Sequence, residues 1–115
     1  MLRKKQFKTM NLPKSIVAYI DAANVGDAAA ASGFFSGSAV VHDENAEYPG
    51  REAIRTWVEE TTRKYHPRLE VLSSRESESS IRATCRVSGD FPGSPTELDF
   101  DFTLADGMIS RLHIQ

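Results

Sequence analysis

The chain has 115 residues, 40% of them apolar and 26% charged, and its 14 basic and 16 acidic side chains give a formal charge of -2. That length fits one domain with one core, because independent domains usually run to about 100 residues or more, and the composition excludes a disordered tail or a membrane protein. So small a charge offers no field for condensing onto a phosphate backbone or an anionic bilayer, so neither nucleic acid nor a membrane is expected as a partner.

Residues 1–9, MLRKKQFKT, precede Met10 and carry no helical pattern. They read either as a loose basic arm or as an upstream start chosen in error, which leaves 10–115 as the domain proper. No apolar signal core follows this basic start, and no apolar run approaches the roughly 20 residues needed to span a bilayer, so a cytoplasmic protein is expected. Ile16, Tyr19, Ile20 and Ala23 then recur at helical spacing behind Pro13, and predict a first helix ending near Gly26. Asp27 is an N-cap candidate for a second, short helix running from Ala28 through Ala31 to Phe34 and Phe35. A Ser36-Gly37-Ser38 turn leads to a first strand over Ala39, Val40, Val41, His42 and Asp43, and a polar loop closes at Tyr48-Pro49-Gly50. From Arg51 to Tyr65 the apolar side chains Ile54, Trp57, Val58, Thr61 and Tyr65 form one stripe of a third helix, which Pro67 ends.

Beyond Pro67 the period changes from 3.6 to 2, with strands expected at 68–74, 80–88, 96–104 and 108–114. Cys85, the one cysteine, falls in the second of these; alone it forms no intrachain disulfide and no cysteine-based zinc cluster, and it suits a reducing compartment. Helices first and most of the sheet last make an α+β protein. Ile81, Ala83, Cys85 and Val87 alternate with Arg82, Thr84 and Arg86, while Leu98, Phe100, Phe102 and Leu104 alternate with Glu97, Asp99, Asp101 and Thr103. A three-residue loop Ala105-Asp106-Gly107 would set Phe100 against Leu112, Leu98 against Ile114, Asp101 against Arg111 and Asp99 against His113. A two-residue Asp106-Gly107 turn would set Phe100 against His113 and mix the faces, so the longer loop is expected. The sheet then has an apolar face for the helices and a face of alternating charge. That second face is either solvated or buried against another copy, and a homodimer through it is expected.

The runs LPKSIVAYIDAANVGD, FFSGSAVVHDENAEYPGREAIRTW and VSGDFPGSPTELDFDFTLADGMISRLHIQ together resemble the SnoaL-like, polyketide-cyclase-like branch of the nuclear transport factor 2-like superfamily. The resemblance covers nearly everything from Leu12 to Gln115. It implies three N-terminal helices packed on a curved antiparallel sheet, a cone-shaped α+β barrel with an internal apolar pocket. The same stretch is similar to the ketosteroid isomerases, in which a first-helix tyrosine steadies an enolate and an aspartate ending the first strand is the base. YIDAANVGD places Tyr19 on that tyrosine and AVVHD places Asp43 on that aspartate. The third isomerase group, a protonated aspartic acid, falls on Phe100 when one gap is allowed, so the resemblance implies two of the three groups.

Asp43 among Val41, Trp57 and phenylalanines would have its charged form disfavoured and become a useful base, or else merely begin a solvated loop with Glu44 and Asn45. Tyr19 would offer its phenol to an oxyanion, or stand as a core residue tied to a neighbour. Phe34, Val41, Tyr48, Trp57, Tyr65, Cys85, Phe91, Phe100 and Phe102 are expected to line the pocket, where Cys85 would be inert, although any core also needs such side chains. Phe91 in the Gly89–Pro95 connection could fold over the mouth as a lid or belong to a plain hairpin loop. His42 points away from Asp43, His66 sits at a helix end and His113 shares the charged face with Asp99; their spacing predicts no metal site. No phosphate loop or nucleotide fingerprint is present, and no cofactor is expected. The reading is a protein that binds a hydrophobic small molecule, as a cofactor-free isomerase, cyclase or dehydratase that abstracts a proton next to a carbonyl. The alternative is a non-catalytic ligand-binding or dimerisation module.

Overall fold

Pro13, with its fixed φ and no N–H to satisfy, stands at the N-cap of α1 (Lys14–Asn24) in the computed structural model, which describes residues 12–115. Both readings of residues 1–9 lie outside the described residues. Helix α1 buries Ile16, Tyr19, Ile20 and Ala22. The Asp27 side chain accepts a hydrogen bond from the Ala30 N–H at 3.1 Å and so caps α2 (Ala28–Gly33). This helix is shorter than its sequence suggests. The Phe34 N–H closes the last turn onto the Ala31 carbonyl, and the Phe34 carbonyl already accepts from Ile109 at 3.0 Å. The sheet therefore claims the chain early: β1 runs Phe35–Asp43, and Ser36-Gly37-Ser38 lies within the strand, where its pairing register shifts.

Glu44 (φ 52) and Asn45 (φ 64) turn the chain into β2 (Ala46–Pro49), a strand where the sequence predicts only a loop. Two consecutive left-handed residues make the tight hairpin turn that matches strand twist, and Glu-Asn lacks the glycine that would have signalled it. Helix α3 (Gly50–Tyr65) buries Ile54, Trp57 and Val58, and ends at His66 in the left-handed conformation (φ 46), just before Pro67. The remaining strands, β3 (Arg68–Glu76), β4 (Ser80–Ser88), β5 (Thr96–Ala105) and β6 (Met108–Ile114), fall where the two-residue period puts them.

Six strands form one sheet in the order β2-β1-β6-β5-β4-β3. It is mixed and not wholly antiparallel as expected, because β1 pairs with β6 in parallel. Hairpins force neighbouring strands to run oppositely, but β1 and β6 are joined through α3 and four strands, which leaves their relative sense free. The core lies between the helices and the inner face, where Ala39, Val41, Ile81, Ala83, Cys85, Phe102, Ile109 and Leu112 are buried. Tyr19 sets its ring edge-on to Phe35 at 5.4 Å and to Phe102 at 6.1 Å, so α1 is keyed to two strands at once. No helix among the described residues is long and apolar enough to cross a membrane.

The β5–β6 turn corrects the expected register. Ala105 pairs with Met108 around a two-residue turn, Asp106 (φ 53) and Gly107 (φ 81), and the register then shifts between Thr103 and Leu104. This irregularity adds one residue on β6, so Phe102 faces Leu112, Phe100 faces Ile114 and Asp101 faces His113. Asp99 exchanges backbone hydrogen bonds with Gln115 in place of the expected His113. The extra residue restores the separation of faces that a plain two-residue turn would have lost.

On the outer face one row of paired residues crosses all six strands: Glu47, His42, His113, Asp101, Arg82 and Arg75. Arg82 donates to both oxygens of Asp101, at 2.6 and 3.2 Å, and Gln115 donates to the same carboxylate at 2.9 Å. These bonds hold the Asp101 carboxyl below the usual carboxylate range. Asn24, at the end of α1, both donates to the Leu69 carbonyl (2.9 Å) and accepts from its N–H (2.7 Å), satisfying backbone on edge strand β3.

The loop after β4 is fixed by a close approach. A Cβ on Gly89 would lie 2.5 Å from the Tyr65 carbonyl oxygen and 3.2 Å from both Pro67 Cα and the Phe91 ring. Gly89→Ala is therefore expected to cost roughly 1–3 kcal/mol in denaturant unfolding. Gly37→Ala, which meets nothing within 4 Å, should stay within about 0.5 kcal/mol of the parent. Equal stability of the two variants would contradict the close approach.

Candidate functional site

Between the helices and the inner face of the sheet lies a cavity of about 490 Å³. Helix α1 contributes Tyr19 and Ala23, the β1–β2 corner Asp43 and Glu44, and α3 Trp57, Val58, Thr61, Thr62 and Tyr65. Pro67, Leu69 and Val87 form the far wall with Phe91, Pro92 and Gly93 of the β4–β5 loop, while Thr96, Leu98, Phe100 and Ile114 form the floor. Most of these groups are apolar, and Thr61 turns its hydroxyl back to the carbonyls of Trp57 (3.0 Å) and Val58 (3.2 Å). The two carboxylates therefore stand out in the lining.

Asp43 closes β1. Side chains alternate along a strand, so Ala39, Val41 and Asp43 share the inner face while His42 points outward. The Trp57 indole N–H, reaching down from α3, donates to Asp43 Oδ2 at 3.0 Å. Burial pushes the Asp43 carboxyl above the ordinary carboxylate range; the Trp57 bond pulls it back in part, and the charge of Glu44 adds to the rise. Tyr19 is 2% exposed. Burial, followed by the charge of Asp43, holds its phenol far above the usual range, so it stays protonated and able to donate.

Of the residues proposed from sequence, Tyr19, Asp43, Trp57, Tyr65, Phe91 and Phe100 are found at the cavity. Phe34, Val41, Tyr48, Cys85 and Phe102 are not part of its lining. Val41, Cys85 and Phe102 are wholly buried beneath other side chains, with the Tyr19 ring across Phe102. Phe34 caps α2 and packs on the core's margin, and Tyr48 lies outside against the Trp57 ring at 6.0 Å. Burial, with a smaller contribution from Asp99, pushes the Cys85 thiol up to about 12, which leaves it unreactive.

Sequence reasoning missed Glu44, Val87, Leu98 and Ile114 as wall residues, and missed the role of Trp57 as a donor. The signal for Trp57 was general: a buried indole N–H needs an acceptor, and the nearest acidic strand end was Asp43. Phe91 packs edge-on to Tyr65 at 6.0 Å, the Asp90 N–H donates to the Tyr65 carbonyl at 2.7 Å, and His66 meets Asp90 at 3.1 Å, so the loop is tied to the end of α3. His42 lies 3.4 Å from Glu47 with its ring 5.6 Å from that of His113, both on the outer face. Among the described residues no group of three or more His, Cys, Asp or Glu could hold a metal ion.

No curated protein matches the chain. Among solved structures, a protein of Sinorhizobium meliloti described as a candidate polyketide cyclase is 38% identical, with 95% of this chain and 100% of that one covered and a TM-score of 0.90. A Catenulispora acidiphila protein with a ketosteroid isomerase-like fold, solved with trimethylamine, is 16% identical over 91% of this chain and 86% of its own, at a TM-score of 0.81. A computationally designed 17-OHP binder has a TM-score of 0.75 at 11% identity, over 88% of this chain and 86% of its own. At such low identity the last two show a shared fold alone. The profile of the SnoaL-like domain matches residues 16–112, and the chain belongs to that family.

Proposed function

We propose that the cavity binds a hydrophobic carbonyl compound and that Asp43 moves a proton on the carbon next to the carbonyl. The observation that carries this reading is an aspartate on the wall of a mostly apolar cavity, held by the Trp57 indole at 3.0 Å. A carboxyl whose proton is held more tightly than usual is a stronger base once ionised. Its second oxygen would take the proton, and the electron pair left behind would move onto the carbonyl oxygen as an enolate. The Tyr19 phenol would donate a hydrogen bond to that oxygen. Returning the proton at another carbon gives isomerisation, and attack of the enolate on a second carbonyl gives an aldol-type ring closure. No cofactor enters either sequence. The 38% identity to a candidate polyketide cyclase supports a carbonyl-rich substrate.

A second reading, a binding module without catalysis, is favoured by Phe100. It lines the cavity, 3% exposed, and with one gap allowed the resemblance to the isomerases puts it where they carry a second donor to the enolate. Deuterium exchange into a panel of cyclic ketones, followed by NMR, decides between the two. Catalysis predicts exchange above background that falls about a hundredfold or more in Asp43→Asn and about tenfold or more in Tyr19→Phe. Exchange that survives Asp43→Asn unchanged would reject Asp43 as the base, and no exchange by the parent would favour the binding module.

A homodimer across the outer sheet face also belongs to this proposal. The row that crosses the sheet has Glu47 at one end and Arg82 with Arg75 at the other, so a two-fold axis through its middle would set acidic ends against basic ends. Light scattering should then give twice the chain mass of 12.8 kDa. A mass of one chain at working concentration would contradict it.

A further inference from the structure

The cavity is charged in a way that a neutral ketone does not use. Asp43 and Glu44, adjacent at the β1–β2 corner, both line it, and among the described residues no lysine, arginine or histidine does. The five ion pairs formed by the described residues involve neither carboxylate. One oxygen of Asp43 accepts from the Trp57 indole, a neutral donor, so no cation among the described residues compensates the charge. A neutral ligand that displaced water here would desolvate carboxylates that no described cation pairs, which is costly.

Aromatic rings line the same cavity: Trp57, in contact with Asp43, and Tyr19 on the helices, Phe100 on β5 and Phe91 in the β4–β5 loop. An aromatic face attracts a cation through its quadrupole, and most strongly where water is scarce. Tyr65 already uses its ring in this way, with Lys64 Nζ 5.5 Å from its centroid, which leaves the other rings for a ligand. Carboxylates beside indole, phenol and phenyl surfaces complement an organic ammonium better than any neutral group.

We propose that the ligand carries a protonated or quaternary amine, its nitrogen near Asp43 and Glu44 among Tyr19 and Trp57, and its apolar body along Phe100, Leu98 and Val87. This deepens the reading of the cavity as a small-molecule site and rests on it, but it requires no proton transfer. Glu44, the more exposed carboxylate, holds the cation while Asp43 keeps a free oxygen for chemistry.

Trp57 is the only tryptophan of the chain, so its fluorescence reports on this cavity directly. The full chain is titrated at neutral pH with phenyltrimethylammonium and with tert-butylbenzene, its uncharged isostere. Both should change the emission, with the cation bound about tenfold or more tightly. Glu44→Gln, on an exposed turn, should cut that preference about threefold, and the Asp43→Asn/Glu44→Gln double variant should bring the two probes within about twofold. The Glu44→Gln arm decides the matter if the double variant does not fold. A cation bound no more tightly than its isostere overturns the inference and leaves the cavity reading standing; failure of both probes to bind overturns both. A preference that survives loss of the two carboxylates also overturns it.

Discussion

Trp57 reaches from α3 to the end of β1, and its hydrogen bond to Asp43 joins the helical layer to the sheet on the wall of the cavity. The bond constrains both partners. The helix must present Trp57 one residue before Val58 and three after Ile54, which puts all three toward the core and leaves the indole edge free to meet a carboxylate. The strand must end with an inward side chain, which the alternation of Ala39, Val41 and Asp43 supplies. Burial makes the Asp43 charge costly, and the indole offsets only part of that cost. What results is a carboxyl poised closer to neutrality than a surface aspartate, beside a phenol that keeps its proton.

The rest of the fold serves to keep that corner in place. Tyr19 is wedged between Phe35 and Phe102, which fixes α1 over the parallel β1–β6 pair and the centre of β5. Asn24 ties the far end of the same helix to edge strand β3. The loop from Gly89 to Pro95 packs against the end of α3 through Asp90 and Phe91, so this part of the cavity lining is tied to the same helix that holds Asp43. A shift of α3 along its axis would therefore disturb Asp43 and the Phe91 side of the cavity together.

The parts of the fold legible from sequence were those with strong local periodicity. Helix α3 shows an apolar stripe and a proline stop, and β4 shows strict alternation, so both lie where expected. What escaped depends on distant partners. Strand β2 and the early start of β1 are selected by pairing with neighbours, not by propensity, and the parallel sense of β1 and β6 has no local signature. The β5–β6 register was argued from the separation of apolar and charged faces, a sound constraint, but an extra residue on β6 satisfied it by another route. At the site, resemblance singled out Tyr19 and Asp43, whereas the Trp57 bond follows only from three-dimensional proximity. Phe100 and Phe102 share a face of β5, and which of them meets the cavity depends on how far the Tyr19 ring extends over the strand.

Burial raises the Asp43 carboxyl above its ordinary range, and the Trp57 indole that donates to it should sense its charge. Carbon-13 NMR of the aspartate carboxyls, recorded with the Trp57 indole N–H signal across a pH titration, tests it directly. The account predicts that the Asp43 carboxyl titrates above the ordinary value of 3.8 and that the indole resonance moves with the same midpoint. A midpoint at or below that value, or an indole signal indifferent to it, would contradict the account.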